Sequence, residues 1–344
     1  MTLSSVCAMI FLAALAQWTV PASADDDADE LETETVLAEE QEPESWVARY
    51  IAAKVEGFSE SEIEFSRSRS NAPFLPVAYL GASHYDDASV REFLESGEDV
   101  EYQQTSASIA AGLPFLLNQT DALVVGFYAN RSEFRVDNPE TEGTEEFRVN
   151  VAALGAGYFR QLSDDWQVMG FVLPFYNDSD LETGSSYWQT MGGVFGRYTA
   201  SDSAWWLFGV FADTSPYDTY WLPYVGVSWT LNERWSISGV MPWPQVIYAP
   251  SRDWFVGVGG MISGSGWAID DDIGAVNMDI NAFDFGANFN RRLYGNLWAQ
   301  LSAGVGGLRA LQIQDTGDIE GPKFDISSSP FIRLDLAIRP GDTF

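Results

Sequence analysis

The chain has one histidine, His84, and it stands in VAYLGASHYDD beside Ser83, Asp86 and Asp87. A nucleophile, a base and an acid can transfer an acyl group only when the three side chains converge, and convergence is geometry rather than spacing. The stretch reads as a strand, in which adjacent side chains point to opposite faces. A histidine at the rim beside a loop is the simpler reading, and no catalytic residue is assigned. Oxygen-rich clusters are the second group: Asp178, Asp180 and Glu182 alternate in NDSDLETG, and Asp270, Asp271 and Asp272 run together. Hard oxygen ligands of this kind hold Ca²⁺ or Mg²⁺. Gly184 falls one position late for a calcium loop, and solvated acidic loops account for both runs, so neither a metal nor a cofactor is assigned.

The third group alternates with apolar residues along the chain. It comprises Arg148, Asn150, Arg160, Asp284, Asn288, Gln300, Ser302, Arg333, Asp335 and Arg339. Lining a hydrated lumen, such side chains would filter solutes. Paired across strands, they would plug it instead. Of these, Arg148, Arg160, Asp284, Gln300, Arg333, Asp335 and Arg339 are the lumen-lining candidates.

These residues need elements that repeat every second position. In FIRLDLAIRP, Ile332, Leu334, Leu336 and Ile338 share one face, and Arg333, Asp335, Ala337 and Arg339 the other. Leu297 to Val305 and Phe283 to Phe289 alternate in the same way, as does Phe147 to Arg160, where Phe147, Val149, Val151, Ala153 and Phe159 oppose Arg148, Asn150, Tyr158 and Arg160. No sustained helical stripe occurs, so the period of two defines the fold. Short polar turns (LNQTD, LSDDW, TASDSA, LNERW, RRLYGN) interleave with longer acidic loops (DNPETEGTEE, NDSDLETGSS, AIDDDIGAVN, ALQIQDTGDIEG). Aromatic residues cluster at the segment ends, at Tyr176, Tyr187, Trp188, Trp205, Trp206, Tyr220, Trp221, Trp235, Trp254 and Trp267. Dyad alternation, short turns against long loops and aromatic girdles together predict an all-β, antiparallel up-and-down transmembrane barrel of 12–14 strands.

The N-terminus agrees with this location. An apolar run from Val6 to Ala16, then Pro21 and Ala22-Ser23-Ala24, has the layout of a signal peptide over residues 1–24, although no Lys or Arg precedes the run. Cys7 lies inside it and is the sole cysteine, so the mature chain has no thiol or disulfide chemistry. The formal net charge is −32, and Asp25 to Glu44 holds eleven acidic residues and no basic one. That stretch predicts an acidic disordered tail over residues 25–45, a solvated leader or a docking tail for a basic partner. Residues 46–75 form a lead-in, with an extended piece at Glu62 to Arg69, and residues 76–344 the barrel. Such acidity excludes nucleic acid as a partner, since phosphates need Lys and Arg.

Strand parity isolates one irregular place. If every short turn lies on the side of the termini, Trp235 to Met241 must rise, Pro242-Trp243-Pro244 must turn, and Gln245 to Ala249 must descend. Proline removes a ladder donor, which suits a turn or break. With this pair the strands number fourteen, and without it twelve. Seven residues reach little more than ~20 Å at roughly 3.3 Å each, so the wall is expected to dip or fold inward at Pro242, Trp243 and Pro244, a candidate constriction.

The run LNERWSISGVMPWPQVIYAPSRDW, with its Leu-Asn-x-x-Trp, Pro-x-Pro and Tyr, resembles an uncharacterised family of Gram-negative outer-membrane barrels, a domain of unknown function. VEYQQTSASIAAGLPFLLNQTDALVVGFYANRSEF is similar to the first complete hairpin of that family. More loosely, the chain is similar to barrels encoded beside aromatic-degradation pathways, which implies transport. The resemblance implies an outer-membrane location but transfers no catalytic residue. Partners expected are outer-membrane lipid, lipopolysaccharide, the barrel-assembly machinery and a small solute. Phe344 is aromatic and in phase with Ile338 as an assembly signal would be, but Pro340 and Asp342 interrupt; the signal is then Ile332 to Ile338, or the tail is a variant. The expected function is a channel or transporter for a small solute rather than an enzyme. A structural or surface-interaction barrel is the alternative.

Overall fold

A computed structural model describes residues 70–73, 76–94, 96–139, 143–241, 244–271, 274–315 and 319–339. The expected signal peptide, acidic tail, Glu62 to Arg69 and the terminal phenylalanine fall outside these residues. Among the described residues sixteen strands form one sheet. The first half comprises β1 (Ala78–Val90), β2 (Val100–Leu116), β3 (Asp121–Asn138), β4 (Gly143–Gln161), β5 (Trp166–Ser179), β6 (Gly184–Ser185), β7 (Tyr187–Ser201) and β8 (Ala204–Thr214). The second comprises β9 (Thr219–Thr230), β10 (Trp235–Ser238), β11 (Gln245–Ser251), β12 (Trp254–Asp271), β13 (Gly274–Tyr294), β14 (Leu297–Asp315), β15 (Ile319–Ile326) and β16 (Ser329–Ile338).

Each wall strand pairs antiparallel with its sequence neighbour, and β16 pairs with both β14 and β1, from Ala78↔Ile338 to Tyr85↔Phe331. That last pairing closes the wall. The closed barrel has fourteen wall strands: β15 continues above β16 in the same column, and β6 is a two-residue piece outside the path. All edges are thereby satisfied around most of the circumference, as spanning a bilayer requires.

Local chemistry explains the short turns. In LNQTD the Asn118 Oδ1 accepts the backbone N–H groups of Thr120 and Asp121, both at 2.9 Å. In LNERW the Asn232 Oδ1 accepts those of Arg234 at 2.9 Å and Trp235 at 3.0 Å. The repeated Leu-Asn pair is one side-chain solution used twice, an asparagine mimicking a backbone turn.

The outer surface is an apolar band. Leu80, Leu154, Val194, Trp221, Val225 and Leu334 are all more than half exposed, although a water-soluble chain would bury them. A contiguous apolar belt on a closed barrel is a lipid-facing surface.

Three expectations need correction. The acidic stretches AIDDDIGAVN and ALQIQDTGDIEG are mostly strand, since β12 reaches Asp271, β13 begins at Gly274, β14 reaches Asp315 and β15 begins at Ile319. Their upper parts leave the wall, cross the lumen and keep their ladders there. Second, the aromatics do not form girdles alone. Tyr187 and Trp205 are buried inside while Trp188 and Trp206 face out, because neighbours on a strand must point to opposite faces. Third, Arg148 and Arg160 are not in the lumen. Both lie on the outward face of β4 with about half of each side chain exposed, while Val149, Val151, Ala153 and Phe159 point inward. Either face of β4 has apolar members, and the inward one meets other apolar side chains inside the barrel.

Candidate functional site

The inward faces of β3 to β9 form an apolar half-lumen. Phe175, Met191, Phe195 and Phe211 are at most 2 % exposed there, with Phe171 stacked near Phe195 and Phe211 at centroid distances of 6.2 and 6.4 Å. The opposite half, from β12 through β16 to β1, carries a polar ladder set among buried aromatic side chains. Arg333 Nε donates to both oxygens of Asp335, at 2.8 and 2.9 Å. Gln300 Nε2 donates to Asp335 at 3.3 Å, and the Arg339 guanidinium donates to Gln300 and Asn290 at 3.1 Å each. Arg339 and Arg333 also lie over the rings of Phe255 and Tyr79.

Above this ladder, Asp284 accepts the Tyr85 hydroxyl at 2.7 Å and an Arg309 N–H at 3.4 Å. Arg309 stacks on Tyr85 at 4.4 Å, and both members of the ion pair are almost fully buried. The bulge on β14 near Gly307 lets Arg309 fold back along its own strand. A Cβ at Gly306 would lie 2.4 Å from the guanidinium, so a larger residue there would displace Arg309 from this position. Alternation alone misses Arg309, because the bulge shifts its phase. The Gly306-Gly307 doublet is the one signal that could have found it.

Between the two halves lies a vestibule of about 240 Å³. Asp284, Gln300, Arg333, Asp335 and Arg339 line it, with the rings of Tyr79, Phe255 and Phe331 in the same sector and Trp205 of β8. The two remaining lumen candidates sit at the rims instead. Arg148 pairs with Glu133 at 3.2 Å and Asp180 at 3.5 Å, and Arg160 lies 3.8 Å from Asp121, which also accepts the Tyr158 hydroxyl.

The vestibule is covered at both ends. At the turn end the Asn71 N–H donates to the Glu233 carbonyl at 2.6 Å, and Asn71 Nδ2 to Ala249 O at 3.1 Å. Ala72 packs against the cluster of Ala249, Phe255 and Trp298, and the chain then reaches Val77, whose N–H donates to Ile338 O at 2.9 Å. Residues 71–73, with 76 and 77, therefore form a strap across the opening. At the loop end the upper parts of β12 to β15 form a flap. Its Trp267 ring meets Phe134 at 5.4 Å and Phe147 at 5.2 Å on the far wall, Ala268 pairs with Ser185 of β6, and Gln314 donates to Asp218. Tyr217, in the loop after β8, stacks edge-on against Tyr187 under this flap. Burial pushes its phenol above the ordinary range, hydrogen bonding to Ser185 works the other way, and the Asp270 carboxylate adds to the rise.

One side of the wall is low. β10 has four residues and β11 has seven, and beyond them the Gly239 N–H donates to Val227 O and the Gly260 N–H to Pro244 O. Among the described residues no strand pairs with β9 from Thr219 to Gly226 on that edge, or with β12 from Met261 to Trp267. Val240 is buried in the core cluster, and the Tyr224 hydroxyl donates to Met241 O at 2.6 Å, so the turn leans inward. Pro244 flanks this notch; Pro242 and Trp243 lie outside the described residues. His84 faces outward with its ring on Thr105 Oγ1 at 2.9 Å. Among the described residues no three acidic, histidine or cysteine groups converge as metal ligands, and Asp180 is engaged by Arg148.

Comparison with solved structures gives distant likenesses. The COG4313 outer membrane channel from Pseudomonas putida F1 aligns with 76% of this chain and 96% of its own, at 9% identity and a TM-score of 0.42. The Pseudomonas putida toluene transporter TodX aligns over 76% and 88%, at 10% identity and 0.35. The translocator domain of autotransporter NalP from Neisseria meningitidis aligns over 86% and 95%, at 10% identity and 0.34. No curated protein sequence matches the chain. Residues 70–317 do match a family model, and the chain therefore belongs to the family described as domain of unknown function (DUF6268).

Proposed function

We propose that this chain is an outer-membrane channel that carries a small amphipathic solute through its vestibule. One observation supports the reading above others: a closed wall with a lipid-facing apolar belt encloses a cavity in which an ionic and amide ladder is interleaved with aromatic rings. A solute with both polar and apolar groups satisfies both kinds of lining, as small-molecule sites generally require. The turn end is periplasmic and the loop end external in this reading, with lipid and lipopolysaccharide around the belt and the barrel-assembly machinery inserting it. Strap and flap then control entry and exit. The residues assigned to the path are Asp284, Gln300, Arg333, Asp335 and Arg339.

Conductance of the purified protein in planar lipid bilayers tests this. Wild type is expected to open, and Arg333→Gln or Arg339→Gln to change ion selectivity, while Arg148→Gln on the outer rim leaves it unchanged. A wild-type barrel that neither conducts nor admits solutes into proteoliposomes would overturn the proposal. The covered ends favour a second reading, a permanently closed structural or surface-interaction barrel. It requires that a variant lacking residues 25–73 also stay insulating.

A further inference from the structure

A second cavity, of about 250 Å³, lies at the loop end between the flap strands β13–β14 and the wall strands β7–β9. Its lining holds three carboxylates, Asp213, Asp218 and Asp279, and no basic side chain. Asp213 and Asp279 are buried, at 2 % and 4 % exposure, so neither carboxylate has much water to hydrate it. Part of their acceptor capacity is used. Gln189 Nε2 donates to both oxygens of Asp213 at 2.8 Å, Gln314 to Asp218 at 3.2 Å, and Asn277 Nδ2 to Asp279 Oδ2 at 2.5 Å.

Two acceptors are left over. Asn277 Oδ1 and Asp279 Oδ1 are buried and meet no donor. A buried polar atom without a partner is strongly disfavoured, more so beside like charges. Among the described residues the lining carries no positive charge, and no N–H donor meets these two acceptors. The volume is many times the ~10–15 Å³ one water needs, and the carboxylates do not converge within reach of one metal ion. A larger, multi-donor cation meets both conditions. The cavity also adjoins the Asp218 loop, at the end of a strongly acidic chain that attracts cations from outside.

We propose that this cavity binds a small organic cation with two or more N–H donors, of the diamine class, held by Asp279, Asn277, Asp213 and Asp218. The site stands apart from the vestibule, and its occupancy does not depend on conduction. Calorimetric titration of the full-length folded barrel in detergent micelles with 1,4-diaminobutane tests it. Saturable single-site binding is expected, with none for 1,4-butanediol. Asp279→Asn and Asp218→Asn should each weaken it at least tenfold, while His84→Ala should not. Folding of each variant is checked by its heat-modifiable gel mobility; the loop variant Asp218→Asn serves if Asp279→Asn does not fold. Three results would overturn the proposal: no saturable binding, equal binding of the diol, or affinity retained in every folded carboxylate variant. Competition by Mg²⁺ at equal strength would also overturn it, in favour of a hydrated metal. A flipped Asn277 amide facing a protonated Asp279 needs no ligand and gives the first of these results.

Discussion

The two halves of the barrel interior are built on opposite principles. From β3 to β9 the inward side chains are mostly apolar and fill space by contact, as Phe195 and Phe211 do. From β12 to β1 charged and amide-bearing side chains stand among aromatic ones and hold one another by directed bonds, as in the Arg333–Asp335–Gln300–Arg339 ladder. The packed rings of Phe195 and Phe211 line neither cavity, whereas all four residues of the polar ladder line the vestibule. The vestibule accordingly sits against the polar half. The difference teaches that a barrel can be plugged and hollow at once, with composition deciding which sector does which.

The largest expected effect lies at the centre of the polar half. Asp284→Leu should destabilise the folded barrel by about 3–5 kcal/mol, because it leaves Arg309 buried without its carboxylate. Adding Arg309→Met should restore most of that loss, since replacing a whole buried pair by apolar groups is often neutral. Urea unfolding in micelles measures both. A double variant as unstable as the single one would mean that the pair itself, and not the orphaned charge, stabilises this sector.

In the apolar half, Phe195→Ala is expected to cost about 3–5 kcal/mol through the cavity it opens, with no rescue by a second substitution on the polar side. The same unfolding assay reads it. A loss well under 1 kcal/mol would show that the sector is loosely filled, and the contrast between halves would fail. A smaller effect is expected on the outer surface. Leu154→Arg should cost about 2–4 kcal/mol at the middle of the lipid belt. Refolding yields into lipid vesicles check it. Normal yields would mean that the outward face of β4 has been assigned wrongly.

Much of this was legible before the fold. The phase of β13, β14 and β16 follows from alternation, because Phe285, Leu301 and Leu334 are apolar and their neighbours Asp284, Gln300 and Arg333 are not. Lipid outside and polar groups inside make that pattern readable. In β4 the same reading put Arg148 and Arg160 inside, and the structure puts them out. Their strand has an apolar inward face, packed near Phe134 and the Trp267 flap, so hydrophobicity cannot tell its two sides apart. The flap itself was read as two acidic loops. Its strands are buried by contact with the far wall, which nothing in their own residues announces.

Taken alone, the sequence determined the period of two, the positions of the short turns and, with the Pro242–Pro244 hairpin in the wall, a count of fourteen strands. These rest on backbone alternation and on asparagine side chains that act within a few residues of themselves. Tertiary structure alone decided which face of β4 is inside, that Arg309 meets Asp284 across a bulge, and that Asp213 and Asp279 share a cavity. Those outcomes depend on what stands across the lumen, and a residue's partner there can lie a hundred positions away in the chain.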